Sequence, residues 1–263
     1  MVPSLKGEWA LVLGSSSGFG EAAALELARR GMNIAGVHLD RKGTLAHVDE
    51  IVGAIRKTGG RAEFFNANAA DELKRKDILD QLGPLLGGKP IRTVLHSLAF
   101  GALKPFFAEK EDDRITKSQL EMTLDVMANS LVYWVQDLVA RRLVAKGSRV
   151  FAMTSAGGAR MWTSYGAVSA AKAALESHIR QISVELAPMG IAANAIRAGV
   201  TDTPSLRKIP GHEEMITFAT TRNPGKRLTT PEDVARVIAT LSGDGIEWMT
   251  SNVISVDGGE FVV

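Results

Sequence analysis

The chain of 263 residues contains no cysteine, only two tyrosines, 6% aromatic residues and no excess of either charge. Without cysteine there can be no disulfide, no thiolate nucleophile and no cysteine metal centre, and no other metal site is indicated. The 31 basic and 29 acidic residues are interspersed and leave a formal charge of +2. Neither a basic tract nor a set of stacking aromatics speaks for nucleic acid. No apolar run approaches the ~18 residues of a membrane span. The opening MVPSLKGEWALVLG lacks the basic, apolar, small-residue order of a secretion signal. A cytoplasmic protein without a membrane partner is expected.

What is present is ordinary globular material, 45% hydrophobic and 23% charged. Short apolar runs alternate with longer segments of helical period, the pattern of a parallel sheet covered on both faces. Strands are predicted at Ala10–Leu13, Asn33–Leu39, Ala62–Ala67, Thr93–Ser97, Arg149–Thr154, Ile191–Arg197 and Val253–Val256. Helices are predicted at Phe19–Arg30, Thr44–Thr58, Asp71–Leu82, Leu120–Ala145, Ala167–Ala187 and Pro231–Leu241. The expectation is a single α/β domain over 1–263, a doubly wound Rossmann-type fold with a seven-stranded parallel sheet. Two segments, Gly101–Ser118 and Thr201–Lys226, show no clear period; the second, around 201–226, is read as a substrate lid at the carboxyl end of the sheet.

The first strand runs into Gly14-Ser15-Ser16-Ser17-Gly18-Phe19-Gly20 and then a helical segment. Glycines permit close backbone approach and the helix start offers free amides to a pyrophosphate, so this is a candidate dinucleotide site. The second strand ends at Asp40-Arg41-Lys42. An acid there accepts the ribose hydroxyls of NAD, while Arg41 could instead clasp the extra phosphate of NADP. Asp40 and the small Ser17 favour NADH; NADPH stays open. Asn68 and Ala69 after the third strand, and His96 and Ser97 after the fourth, are candidates to line the adenine and ribose. His96 is given no chemical role.

The most specific feature is Tyr165 with Lys172 seven residues on, in a run free of Gly and Pro after Gly166. Seven steps of about 100° return a helix almost to its starting azimuth, so both side chains share a face about 10 Å apart. The commoner tyrosine–lysine pair of nicotinamide enzymes is four apart, and here that place holds Val168.

With Gly14-Ser-Ser-Ser-Gly18-Phe-Gly20, Tyr165, Lys172, Asn194-Ala-Ile-Arg-Ala-Gly199 and Val256-Asp257-Gly258-Gly259 in this order, the chain resembles the short-chain dehydrogenase/reductase family throughout. The Tyr-x6-Lys spacing and Val94-Leu-His96-Ser-Leu-Ala-Phe100 look like its bacterial enoyl-acyl carrier protein reductases. That resemblance implies hydride transfer to the β-carbon of a 2-enoyl thioester in fatty acid biosynthesis. Tyr165 would donate to the developing enolate, and Lys172 would bind the nicotinamide ribose and lower the tyrosine pKa. It also implies that Gly199, the Val200 backbone and Thr203 hold the nicotinamide carboxamide, with Thr201 competing for that contact. The partners implied are an acyl thioester on acyl carrier protein or CoA and further copies of the chain in a homotetramer. Arg207, Lys208, Arg222, Lys226 and Arg227 are candidates for a basic rim against the carrier.

The pattern also departs from that group. Ser155 stands where many enoyl reductases carry a second tyrosine, and also in the register of the catalytic serine of ordinary family members, so it is a third catalytic candidate. The supporting asparagine of ordinary members falls near Met127, with Asn129 turned elsewhere. The alternatives are a ketone or hydroxysteroid dehydrogenase and a catalytically silent nucleotide-binding homologue.

Overall fold

The computed structural model describes residues 5–263; residues 1–4, which open the stretch read for a secretion signal, lie outside the described residues. The elements follow in the order β1 (Trp9–Leu13), α1 (Gly18–Arg29), β2 (Asn33–His38), α2 (Leu45–Lys57), β3 (Ala62–Asn66), α3 (Glu72–Leu85), β4 (Ile91–His96), α4 (Lys117–Leu124), α5 (Ser130–Ala140), β5 (Arg149–Ser155), α6 (Gly166–Leu186), β6 (Ala192–Ala198), α7 (His212–Arg222), α8 (Pro231–Leu241) and β7 (Val253–Val256).

All seven strands are parallel, in the order β3-β2-β1-β4-β5-β6-β7. The two-residue period of β1 shows why both faces need cover. Trp9, Leu11 and Leu13 enter one core with α3, α5 and α6, while Ala10 and Val12 enter the other with α1, α2 and α8. The chain winds one way from β1 to β3 and the other way from β4 onward. That reversal opens a crevice at the carboxyl ends of β1 and β4, where such sheets bind ligands. Among the described residues no helix is long and apolar enough to cross a membrane.

Two expectations are corrected. The helix expected over Leu120–Ala145 is instead α4, a π-helical turn at Asp125–Asn129, and α5, which ends at Ala140. Beyond it Arg142 takes a left-handed φ of 56°, and the chain turns toward β5, with the Ala145 amide donating to Ser148 Oγ. No Gly or Pro marks either break, and the apolar spacing runs through both. Leu131, Trp134 and Leu138 of α5 lie in the core.

The second correction concerns 201–226, which contains α7. Pro210 and Gly211 precede it, Glu213 and Glu214 occupy its first turn and Arg222 its last, an arrangement that suits the helix dipole. Of its residues only Ala219 is buried, so no apolar stripe announced it.

Candidate functional site

The glycine-rich turn is shaped by backbone contact. A Cβ on Gly20 would lie 1.9 Å from the Gly14 carbonyl oxygen, and one on Gly14 would lie 2.5 Å from that of Ser97. Ser15 is buried and donates to the Val37 carbonyl. Ser17 is the N-cap of α1 but its side chain caps nothing, which leaves the first amides of the helix, at Gly18 and Phe19, to a ligand. Gly18 faces the Thr203 side chain: a Cβ there would be 3.5 Å from Cγ2. The diphosphate turn and the loop after β6 therefore meet, and this cradle fits a dinucleotide.

At the end of β2, Asp40 is held from several sides. His38 Nδ1 lies 2.9 Å from its Oδ2, and Asn66 receives the Asp40 amide and donates to its carbonyl. Burial raises the Asp40 pKa, but hydrogen bonds from Ser16, Thr44 and His38 outweigh it, so the carboxyl stays below its ordinary range. Arg41 and Lys42 are exposed, and among the described residues their side chains make no hydrogen bond or ion pair. The Asn68 carboxamide oxygen caps its own turn at Ala70, and the carbonyl of buried Ala69 accepts from Trp134 Nε1. Ser97 continues β4 through a bond to Leu13.

His96 is fully buried, 2.8 Å from Ser130 Oγ, which itself donates to the Val126 carbonyl. Burial, with the nearby Lys172 charge, holds its pKa down to about 3. A neutral imidazole in the core has no route to the ribose, so only the His96 backbone is left for the lining role.

The catalytic candidates converge. β5 ends at Ser155, and a short 3-10 turn, Ala156–Gly158, follows. Tyr165 is the N-cap of α6 and accepts the Ser169 amide at 2.8 Å; Ser164 before it has φ 61°, a left-handed conformation typical of functional turns. Ser155 Oγ and the Tyr165 ring both face Gly157, where a Cβ would lie 3.2 Å from the hydroxyl and 2.5 Å from Cε1. Burial pushes the Tyr165 phenol up from its ordinary value and Ser155 pulls it back. Lys172, also buried, donates to the Met153 carbonyl at 2.7 Å. Burial lowers its pKa to about 8, against the opposing pull of the Glu176 carboxylate, which accepts from Thr154 Oγ1. Lys172 is not among the groups that act on the phenol, whose pKa stands above its ordinary value through burial.

Val168, four before the lysine, is buried. The loop after β4 crosses it: a Cβ on Gly101 would lie 3.1 Å from Val168 Cγ2, 3.0 Å from Met127 Sδ and 2.7 Å from Thr123 Cγ2. Asn129 is bonded to His178 Nε2 at 3.1 Å, away from the lysine.

After β6, the Val200 amide donates to both oxygens of Glu260, at 3.2 and 3.0 Å. The donor expected of Val200 is thus already spent. The Thr201 amide makes no hydrogen bond among the described residues, so it stays open beside Thr203 as a candidate for the carboxamide contact. Sequence reasoning missed Glu260; its only local signal was an acid directly after Gly258-Gly259. The segment 201–226 is tied down at two places, by Trp162 Nε1 donating to the Pro210 carbonyl and by Asn223 Nδ2 donating to the Asp257 carbonyl.

A family model described as Enoyl-(Acyl carrier protein) reductase matches residues 14–260. The chain is 29% identical over 255 residues to the 1-cyclohexenylcarbonyl-CoA reductase of Streptomyces collinus, covering 96% of this chain and 86% of that protein. It is 28% identical over 271 residues to the cyclohexanol dehydrogenase of Rhodococcus sp. strain TK6, covering 97% and 96%. The enoyl-[acyl-carrier-protein] reductase (NADH) of Aquifex aeolicus VF5 has the same fold, with a TM-score of 0.86 at 22% identity over 98% of each chain. The chain belongs to the short-chain dehydrogenase/reductase family, in the branch whose family model is described as enoyl-acyl carrier protein reductase.

Proposed function

We propose that this oxidoreductase is an enoyl thioester reductase, delivering hydride from NADH, or from NADPH, to the β-carbon of a 2-enoyl group carried on acyl carrier protein or CoA in fatty acid biosynthesis. The observation that carries the reading is Tyr165 seven residues before Lys172, with buried Val168 under Gly101 in the intervening place.

Bound nicotinamide supplies the hydride. In an enoyl thioester the oxygen that gains charge lies three bonds from the carbon that gains hydride, against one in a ketone, so its donor belongs farther from that carbon than in a ketone reductase. Tyr165, nearly one turn before Val168, provides that reach. Its buried phenol keeps its proton until the enolate draws it, and Ser155, beside it against Gly157, shares the oxygen-binding end. Lys172 keeps a positive charge at the ribose end of the pocket.

The surroundings support an apolar substrate. Phe106 lies over Gly166, next to the donor, where a Cβ would be 2.6 Å from the ring, and Phe100, Phe107 and Met161 are exposed nearby in sequence. The Streptomyces relative is by name a reductase of an unsaturated acyl-CoA. For a carrier protein the basic rim is partly spent, because Arg207 pairs with Asp202 and Arg227 with Asp233; Lys208, Arg222 and Lys226 remain. A cytoplasmic homotetramer belongs to the same reading.

The test is oxidation of NADH and NADPH with crotonyl-CoA and crotonyl-carrier protein. Turnover of either thioester, lost in Tyr165→Phe, is expected; no turnover of either overturns the reading. One observation favours keto reduction instead: Ser155, in the register of the ordinary catalytic serine, lies beside the tyrosine against Gly157. Reduction of acetoacetyl-CoA without enoyl turnover would establish that reading. Tight cofactor binding without turnover of any carbonyl or enoyl compound would establish a silent homologue.

A further inference from the structure

The carboxyl-terminal turn joins parts of the site that the chain otherwise keeps separate. Asp257 directly follows β7 and receives the amides of Gly259 and Phe261 through its two carboxylate oxygens. This folds Glu260 inward, where it is only 8% exposed. Its carboxylate receives the Val200 amide, and it sits against Gly199, where a Cβ would lie 2.9 Å from Oε2 and 2.4 Å from Thr229 Oγ1.

The backbone of the same turn is held from the other side. Arg160, just beyond the Ser155 turn, donates to the carbonyls of Glu260, Phe261 and Val263. The Phe261 ring lies 3.9 Å from the Arg197 guanidinium carbon and 5.0 Å from that of Arg160. One short segment thus ties the loop after β6 to the turn that carries the catalytic serine.

The geometry points to Glu260 as a positioning residue for the nicotinamide half of the cofactor site: by holding Val200 it fixes the loop on which the free Thr201 amide and the Thr203 side chain are presented. The carboxylate itself does not touch the nucleotide. Two observations agree with a functional seat. A buried carboxylate whose pKa is raised, chiefly by burial, is a costly way to receive one amide. And Gly199 leaves room for it that any side chain would fill. The inference rests on nucleotide binding in this family and not on the identity of the substrate.

The experiment compares whichever nicotinamide nucleotide the parent binds more tightly with its nicotinamide-free counterpart, ADP-ribose or its 2′-phosphate, in Glu260→Gln and Glu260→Ala. Calorimetric titration should show the nicotinamide nucleotide bound about tenfold more weakly by the Ala variant and less affected in the Gln variant, which keeps one acceptor oxygen. ADP-ribose affinity should stay at the parental value in both. Equal weakening of both ligands, no weakening of either, or failure of both variants to fold assigns Glu260 a structural role alone and overturns the proposal. A parent that binds neither NADH nor NADPH overturns the nucleotide reading itself, and the proposal with it.

Discussion

The Tyr165 ring lies flush against Gly157, where a Cβ would stand 2.5 Å from Cε1 and 3.2 Å from Ser155 Oγ. The glycine is therefore the wall that aims the phenol. Gly157→Ala should push the ring aside, and a displacement of about 1 Å at a reacting group can cost on the order of 10²-fold in rate. Steady-state kinetics should show kcat lowered by that order with the KM for the nucleotide little changed, because nothing in the glycine-rich turn moves.

Removing the Ser155 hydroxyl tests the other contact of the phenol. Burial pushes the Tyr165 pKa up and Ser155 opposes it, so Ser155→Ala should raise it further and slow proton donation. A loss of roughly 10–10²-fold in kcat is expected, against about 10²–10⁴-fold for Tyr165→Phe, which removes the donor. Equal rates in Ser155→Ala and the parent would deny the serine a part in the chemistry.

Lys172 sets an alkaline limit. Its pKa is lowered from the ordinary 10.5 to about 8, so kcat/KM, which reports the free enzyme, should fall as pH rises through about 8. Stability moves the other way. The folded state releases this proton near 8 and the unfolded chain only near its ordinary value, so between the two the unfolded state binds more protons and stability rises with pH. Glu176 holds the pKa up; Glu176→Gln should shift the alkaline limb of kcat/KM to lower pH, measured across a pH series.

Cofactor choice should turn on Asp40. Its carboxyl stays ionised because hydrogen bonds from Ser16, Thr44 and His38 outweigh burial, so on the proposed reading it would oppose a 2′-phosphate as a negative charge. Arg41 and Lys42 stand exposed beside it. Asp40→Ala should improve kcat/KM for NADPH relative to NADH by about tenfold or more, the effect of removing one close repulsion of roughly 1.4 kcal/mol. An unchanged ratio would show that the acid turns away from the ribose.

How far the sequence reads into this molecule depended on the range of the cause. β1 and the glycine turn after it were legible because an apolar run and close packing are local: Ala10–Leu13 is an unbroken apolar run inside the strand Trp9–Leu13, and Gly20 must touch Gly14. The Tyr165–Lys172 spacing was legible for the same reason. The break at Asp125–Asn129 was not, because a π-helical turn keeps the apolar face and needs no Gly or Pro. α7 was hidden by its exposure. Glu260 on Val200 spans 60 residues and is set by how β7 ends, which no local pattern records.

Val168 gives the sharpest test of why the tyrosine moved. Placing a tyrosine there would restore the four-residue spacing of ketone reductases, but the position is buried beneath Gly101, beside Met127. A ring in that space must displace the loop after β4, and overpacking of this kind costs about 1–3 kcal/mol, a fall of roughly 2–5 °C in Tm for a chain of this size. The displaced loop carries the approach to Tyr165 through Phe106, so enoyl turnover should fall as well. Val168→Tyr is therefore expected to melt lower, to lose enoyl activity and to gain no reduction of acetoacetyl-CoA. If the variant instead kept the parental Tm and reduced acetoacetyl-CoA, the loop packing at Gly101 would not be what excludes a phenol from this place, and the enoyl reading would lose its main structural support.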